Sequence, residues 1–169
     1  LATGSQPFIV PVPGSDLPGV VGFRDLDDVD TMLQAARDGK HAVVIGGGLL
    51  GLEAANGLLR RGMNVTVVHL TQSLLNQQLD VDASLLLKAA LEGRGLRILL
   101  GAQTEAILGD GEVQGVRFAD GLELPADLVV MAAGVRPNVA LAREAGLHVE
   151  RAIVVDDTLQ SYDPRVYAV

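Results

Sequence analysis

The sequence predicts an α/β fold in three layers, with a parallel central sheet and a small antiparallel meander. Residues 41–46 (HAVVIG) and 64–69 (NVTVVH) are short, continuously apolar segments, which are typical of parallel strands buried on both faces. A glycine-rich turn and a helical segment separate them, so together they form a βαβ unit. Three later segments, divided by the turn signals GDG and ADG, predict the meander at residues 102–108, 112–118 and 122–124.

Three main helices are predicted from apolar residues at helical spacing, each with a glycine at or just after its end. They are residues 26–39, 49–61 and 80–92. The acids Asp25, Asp27 and Asp28 lie in the first turn of the first helix, where the helix dipole favours negative charge. Asp80 or Asp82 is the candidate cap of the third helix. For the third helix we expect a buried side made of Leu85, Leu86, Ala89 and Ala90.

The remaining segments are shorter. Residues 96–100 and 127–133 are predicted to be further strands of the parallel sheet. A helix is predicted over residues 138–146, and strand candidates follow at 152–155 and 165–169. Residues 1–20 contain four of the 7 prolines, so we expect an extended segment without a helix there.

Composition and charge exclude several classes of function. A length of 169 residues allows one domain, or at most one and a half. The formal net charge of −8 argues against nucleic acid as a partner and against a basic membrane-binding segment. No run of about 18 apolar residues and no signal-like start is present, so we expect a soluble, cytoplasmic protein. The chain starts with Leu1 and stops on Val169, which suggests a piece of a longer protein.

The chain contains no cysteine, and its 3 histidines lack metal-binding spacing. These counts argue against disulfides, iron–sulfur clusters and zinc sites within this stretch. We therefore predict no metal site in these residues.

The most informative motif is GGGLLGLE at residues 46–53, between a predicted strand and a predicted helix. Gly46 allows the tight turn, Gly48 lets the backbone approach a pyrophosphate, and Gly51 lets the helix pack closely on the strand. The free N–H groups and the positive dipole end of the helix then meet the phosphates. Because the whole βαβ unit surrounds the motif, a dinucleotide-binding site is favoured over an ordinary helix cap.

His69 ends the second strand, where such units usually carry an acid that binds the ribose 2′-hydroxyl of NAD. Neutral imidazole can bind a hydroxyl and imidazolium can pair with a 2′-phosphate, so His69 alone does not select the cofactor. A solvated residue at the end of a strand is the alternative. No Lys or Arg occurs in residues 63–87, so we favour NADH over NADPH. Glu53 is either a surface acid favoured by the helix dipole or a contact for the nicotinamide carboxamide.

Four motifs together resemble the pyridine-nucleotide flavoprotein oxidoreductases, a family that includes ferredoxin and rubredoxin reductases and NADH oxidases. They are LATGSQP at 1–7, GGGLLGLE at 46–53, AAGVRPN at 132–138 and SYDPRVYAV at 161–169. The resemblance covers the whole chain and implies a Rossmann-like FAD/NAD(P)-binding fold. It implies a connector leaving the FAD domain (1–20), an NAD(P)H-binding domain (21–137) and a return segment towards the FAD domain (138–169).

Within the family, VTVVHL at 65–70 and LLNQQLD at 74–80 look most like the large subunits of assimilatory NAD(P)H nitrite reductases. That resemblance implies electron flow from NAD(P)H through FAD to an iron–sulfur cluster and siroheme, where nitrite becomes ammonia. The cluster and siroheme would lie outside this chain. Two alternatives stay open, namely a ferredoxin or rubredoxin reductase or NADH oxidase, and a non-catalytic NAD(P)H-sensing module.

The family resemblance also implies site residues. NAD(P)H contacts would fall on Gly46, Gly48, Leu49, Leu50, Gly51, Glu53, His69 and the backbone around Gly134, and Thr3 and Gly4 would lie beside FAD in the intact protein. No side chain is predicted to act as an acid, base or nucleophile, so we expect the isolated chain to bind a dinucleotide without catalysis. The FAD domain of the same chain is the expected partner, and a homo-oligomer is left open. Asn138 is a candidate cap of the helix after it.

Overall fold

The computed structural model describes all 169 residues and divides them into two compact units. The terminal unit consists of residues 1–7 and 135–169, and the central unit consists of residues 8–134. The ten strands are β1 (Ser5–Pro7), β2 (Val20–Val21), β3 (His41–Ile45), β4 (Asn64–His69), β5 (Arg97–Leu100), β6 (Thr104–Leu108), β7 (Gly115–Phe118), β8 (Glu123–Pro125), β9 (Leu128–Met131) and β10 (Val135–Pro137). The four helices are α1 (Leu26–Asp38), α2 (Leu49–Arg60), α3 (Val81–Glu92) and α4 (Ala140–Glu144).

A five-stranded parallel sheet forms the middle layer of the central unit. Its strand order is β2–β9–β3–β4–β5. The four strands predicted for this sheet are confirmed to within two residues at each end, and β4 has the predicted bounds. Strand β2 of this sheet was not predicted, because two residues are too few to form a recognisable pattern, and the short strands β1 and β10 outside this sheet were not predicted either. The carboxyl ends of β3, β4 and β9 come together at one edge of the sheet, where a nucleotide binds in open α/β sheets.

Helices α1, α2 and α3 cover one face of this sheet. The side chain of Asp25 accepts the N–H of Asp28 and forms a capping box at α1, and Asp80 caps α3 through the N–H of Ala83 at 2.8 Å. Each helix contributes apolar side chains to a core shared with the sheet. These include Met32, Ala55, Leu58 and Leu91 from the helices and Val44, Val67 and Val130 from the strands.

The meander of β6, β7 and β8 covers the opposite face. Its strands are antiparallel, as predicted. They bury a second apolar core against the sheet, which includes Ile107, Val116, Phe118 and Leu124 from the meander and Val43, Val129 and Met131 from the strands. Helices, parallel sheet and meander thus form the three predicted layers.

The predicted orientation of α3 is wrong. Leu85 is 57% exposed and Leu86 is 75% exposed, and Ala89 and Ala90 are also exposed. The helix instead buries Ser84 and Leu91. Because the run LLLKAALE is apolar around most of the helix circumference, its pattern does not identify a single buried face.

The terminal unit is built around the short antiparallel pair of β1 and β10. Beside this pair, the Thr3 hydroxyl donates to the carbonyl of Asn138 at 2.6 Å, and the Asn138 amide donates to the carbonyl of Thr3 at 2.8 Å. The side chain of Asn138 is therefore not the cap of α4, whose cap position is held by Val139 without a side-chain hydrogen bond. The helix itself is confirmed but is shorter than predicted.

The two strand candidates near the C-terminus are wrong. Residues 149 and 153 form one isolated bridge, and Gln160 and Tyr167 form another, so neither segment has a strand ladder. Tight turns occupy this region instead, with the carboxylate of Asp156 accepting the N–H groups of Thr158 and Gln160. None of the four helices is both long and apolar enough to cross a membrane.

The orientation of α3 can be tested by two substitutions in the purified protein. Leu91→Ala should lower the free energy of unfolding by about 2–4 kcal/mol, because it removes a buried side chain. Leu86→Lys should change it by less than about 0.5 kcal/mol, because Leu86 faces solvent. Denaturant unfolding followed by circular dichroism measures both values, and a larger loss for Leu86→Lys than for Leu91→Ala would contradict the observed orientation.

Candidate nucleotide-binding site

The glycine-rich turn joins the carboxyl end of β3 to the start of α2. Gly46 has a φ of +129°, and a Cβ there would overlap the backbone carbonyl of Ala132. A Cβ on Gly51 would overlap the carbonyl oxygen of Gly46. Both positions therefore need glycine for the fold itself, because α2 lies directly against the ends of β3 and β9.

Gly48 differs from these two glycines. Its φ of −85° is open to any residue, and no protein atom lies within 4 Å of the position a Cβ would take. The protein alone therefore gives no reason for a glycine here. The open space above Gly48 fits a ligand that approaches the backbone closely, as a pyrophosphate does in this motif.

The first turn of α2 offers unused hydrogen-bond donors. No side chain caps this helix, in contrast to α1 and α3, and its first turn contains no acid. The N–H groups of Leu49, Leu50 and Gly51 have no acceptor within the protein. These donors and the positive end of the helix dipole make the turn suitable for a phosphate group.

Three further predicted contacts lie on the exposed side of the same helix. Leu49 is 62% exposed and Leu50 is 43% exposed, so the turn presents apolar surface to solvent. Glu53 is exposed, and its carboxylate makes no hydrogen bond or ion pair within the protein. Leu49, Leu50 and Glu53 are therefore free to contact a ligand bound at the turn.

His69 ends β4, as predicted, and its ring faces the glycine-rich turn. Its Nδ1 accepts the backbone N–H of Gly47 at 3.0 Å. Its Nε2 is buried and has no hydrogen-bond partner in the protein. In this structure one ring nitrogen is thus used by the turn and the other is buried.

Burial lowers the pKa of His69 from its ordinary value of 6.5, and Ser73 and Asn76 lie close enough to oppose this effect. Neither makes a hydrogen bond of normal geometry with Nε2. An Nδ1 that accepts a hydrogen bond belongs to the neutral ring with its proton on Nε2. Because the pKa is lower in the folded state, the fold loses stability as the pH falls below 6.5.

The segment that follows β4 was missed as part of the site. Leu75, with a φ of +49°, donates its N–H to the carbonyl of Gly47 at 3.0 Å, and Leu74 is fully buried. A Cβ on Gly47 would lie 2.8 Å from Cγ of His69 and 2.6 Å from Leu74. Gly47, the middle one of three consecutive glycines, was the signal, since the GxGxxG pattern leaves that position open.

Three other predicted positions, Gly134, Thr3 and Gly4, are not part of the turn itself. Gly134 follows β9 with a φ of +115°, and its carbonyl accepts the N–H of Phe8 at 2.9 Å. Thr3 and Gly4 belong to the terminal unit, where Gly4 accepts the N–H of Asn138 at 2.9 Å. The turn, by contrast, brings together Gly46, Gly48, Leu49, Leu50, Gly51 and Glu53, with His69 packed against it.

Two curated proteins are similar in sequence to this chain over its whole length. The chain is 56% identical over 169 residues to the NAD(P)H nitrite reductase of Bacillus subtilis (strain 168), covering 100% of this chain and 21% of that protein. It is 47% identical to the assimilatory nitrate reductase electron transfer subunit of the same organism, covering 22% of that protein. The chain thus spans about a fifth of the length of these curated relatives.

A solved structure and a family model also match the whole chain. A ferredoxin reductase from Rhodopseudomonas palustris superposes with a TM-score of 0.95 at 38% identity, covering 100% of this chain and 42% of that one. The model of the pyridine nucleotide-disulphide oxidoreductases matches residues 1–169. The chain therefore belongs to the pyridine nucleotide-disulphide oxidoreductase family.

Proposed function

We propose that this chain binds NAD(P)H at the glycine-rich turn and presents it to FAD of the same protein, as part of a nitrite reductase large subunit. The open space over Gly48, beside three unused N–H groups of α2, is the observation that carries the nucleotide site. Family membership supports FAD as the electron acceptor. The 56% identity to an NAD(P)H nitrite reductase supports nitrite as the final substrate.

The residues of this chain bind and orient the cofactor. The N–H groups of Leu49, Leu50 and Gly51 donate to the pyrophosphate, and Gly48 lets it approach the backbone. The exposed side chains of Leu49 and Leu50 supply an apolar surface that excludes water from the bound nucleotide. The free carboxylate of Glu53 accepts a hydrogen bond from the nicotinamide carboxamide. The hydride chemistry itself comes from the cofactors when they are bound.

The cofactor preference we propose is NADH over NADPH. Residues 63–87 contain no Lys or Arg that could pair with a 2′-phosphate. His69 does not supply that charge either, because burial favours its neutral form and its Nδ1 is occupied by Gly47. A 2′-phosphate would therefore be bound without a cationic partner from this part of the chain.

The later steps belong to parts of the protein outside these residues. We propose that Thr3 and Gly4 lie beside FAD, that Gly134 contributes backbone contacts to NAD(P)H, and that an iron–sulfur cluster and siroheme pass the electrons to nitrite. The FAD domain of the same chain is the proposed partner. A cytoplasmic location fits a reaction that uses NAD(P)H, and both it and a homo-oligomeric state stay predictions.

A second candidate keeps the same site and changes the acceptor. The TM-score of 0.95 to a ferredoxin reductase favours transfer from FAD to a small electron-carrier protein. The nucleotide site and its residues are the same in both candidates. Only the final acceptor distinguishes them.

Anaerobic reduction of the full-length protein tests the proposed function. We expect NADH to bleach the flavin absorbance, NADPH to do so with a higher Kd, and subsequent nitrite to restore the oxidised spectrum with formation of ammonia. Flavin reduction with no response to nitrite, but with turnover of a ferredoxin, would favour the second candidate. NADH binding without flavin reduction would contradict both candidates and favour a sensing module.

Substitution of Gly48 tests the nucleotide site itself. Gly48→Ala should leave the fold intact, because the new methyl group meets no protein atom. It should weaken NADH binding by at least about tenfold, because the methyl group occupies the space of the pyrophosphate. Titration of flavin reduction against NADH concentration gives the Kd.

Gly57→Ala is the matched control on the same helix. Gly57 is exposed, and a Cβ there would also meet no protein atom. Because alanine favours a helix more than glycine does, this change should stabilise the protein by about 0.5–1 kcal/mol. The Kd for NADH should stay unchanged. Equal Kd values for Gly48→Ala and Gly57→Ala would contradict a pyrophosphate at Gly48.

A further inference from the structure

We propose that His69 is a positioning residue whose neutral imidazole holds the glycine-rich turn in its NAD(P)H-binding conformation. It does so by accepting the N–H of Gly47, and it does not touch the nucleotide. The inference rests on the proposed function, because it concerns the same turn. It differs from the sequence-based interpretation, in which His69 contacts the ribose.

The backbone of Gly47 is held on both sides by the segment around His69. Its N–H donates to Nδ1 of His69 at 3.0 Å, and its carbonyl accepts the N–H of Leu75 at 3.0 Å. The preceding residue, Gly46, donates its N–H to the carbonyl of Val68 at 2.8 Å. The turn is therefore attached to β4 and the segment after it by three hydrogen bonds, of which only one depends on a side chain.

Gly48 follows immediately and opens α2, so the orientation of Gly47 fixes the direction of the free N–H groups. The fit between Gly47 and the ring is tight, since a Cβ on Gly47 would lie 2.8 Å from Cγ of His69. Loss of this hydrogen bond would leave the turn attached by only two backbone hydrogen bonds, so the N–H groups of α2 would be held less firmly. We expect this to weaken nucleotide binding without altering any group that reacts.

An imidazole can hold the turn only while it is neutral, because a protonated ring has no acceptor left. The backbone of Gly47 and Ser73 and the side chain of Asn76 approach the His69 ring. Leu100 is its partner on the neighbouring strand, and the N–H of Ala102 donates to the His69 carbonyl. None of them is charged. Residues 46–52, 70–79 and 100–104 contain no Asp, Glu, Lys or Arg, so no neighbouring carboxylate would stabilise an imidazolium.

Protonation of His69 therefore removes the hydrogen bond to Gly47 and leaves a partly buried charge without a partner. The lowered pKa of His69 agrees with this environment. Because burial lowers the pKa of His69 below its ordinary value of 6.5, we expect NADH affinity to fall only towards acid pH, below that ordinary value. The rate of flavin reduction at saturating NADH should not change through this residue.

The test measures the Kd for NADH of the full-length flavoprotein between pH 5.5 and 8. Rapid mixing, with flavin reduction as the readout, gives the Kd and the limiting rate separately. The wild type should show a Kd that rises towards pH 5.5, the end of this range that lies nearest to the lowered pKa of His69. His69→Asn keeps an acceptor oxygen near the position of Nδ1 and cannot titrate. We expect it to bind NADH at pH 8 within about threefold of the wild type and to show no rise in Kd at low pH.

His69→Leu removes the acceptor and should raise the Kd by about 3- to 10-fold at every pH, with the limiting rate unchanged. His41→Asn is the control, since His41 lies at the opposite end of the sheet, and it should keep the wild-type pH profile. If His69→Asn also kept that profile, or if His69→Leu bound NADH like the wild type, the inference would be overturned. If His69→Leu fails to fold, the pH profile of His69→Asn decides. Failure of the wild type to bind NADH would instead overturn the proposed function.

Discussion

The close approach of helix α2 to the ends of strands β3 and β9 is the constraint on which the rest of the central unit depends. It exists because Gly51 has no side chain, so the helix lies directly against the carbonyl of Gly46. Gly46 in turn lies against Ala132 after β9. Any larger residue at either glycine would push the helix away from the sheet. This contact fixes the amino end of α2, with its unused N–H groups, at the carboxyl edge of the parallel strands.

The four glycines of the turn, at positions 46, 47, 48 and 51, are therefore needed for different reasons. Gly46 and Gly51 serve the packing of helix on sheet, and Gly47 leaves room for the ring of His69 and for Leu74. A Cβ on Gly48 would meet no protein atom, so we attribute the glycine at this position to the bound ligand. This division matters for function, because it separates the residues that build the turn from those that meet the nucleotide. It also assigns His69 to the first group.

Most of the fold could be predicted from the sequence, because the buried parallel strands and the capped helices have strong local patterns. The bounds of β4 and the cap at Asp80 are examples. The rotation of α3 could not be predicted, since its sequence is apolar on more than one side. The glycine pattern located the turn, but the direction of the His69 ring depends on the buried segment at Leu74 and Leu75, which has no periodic pattern. The C-terminal bridges were mistaken for strands because β-branched runs also occur in tight turns.

Amide hydrogen exchange of the full-length protein, with and without NADH, tests the nucleotide site most directly. The amides of Leu49, Leu50 and Gly51 have no acceptor in the protein, so they should exchange fast without ligand. If these groups bind the pyrophosphate, NADH should slow their exchange more than that of any other amides in residues 8–134. NADH binding that protects another part of the chain and leaves these three amides unchanged would contradict the proposed site.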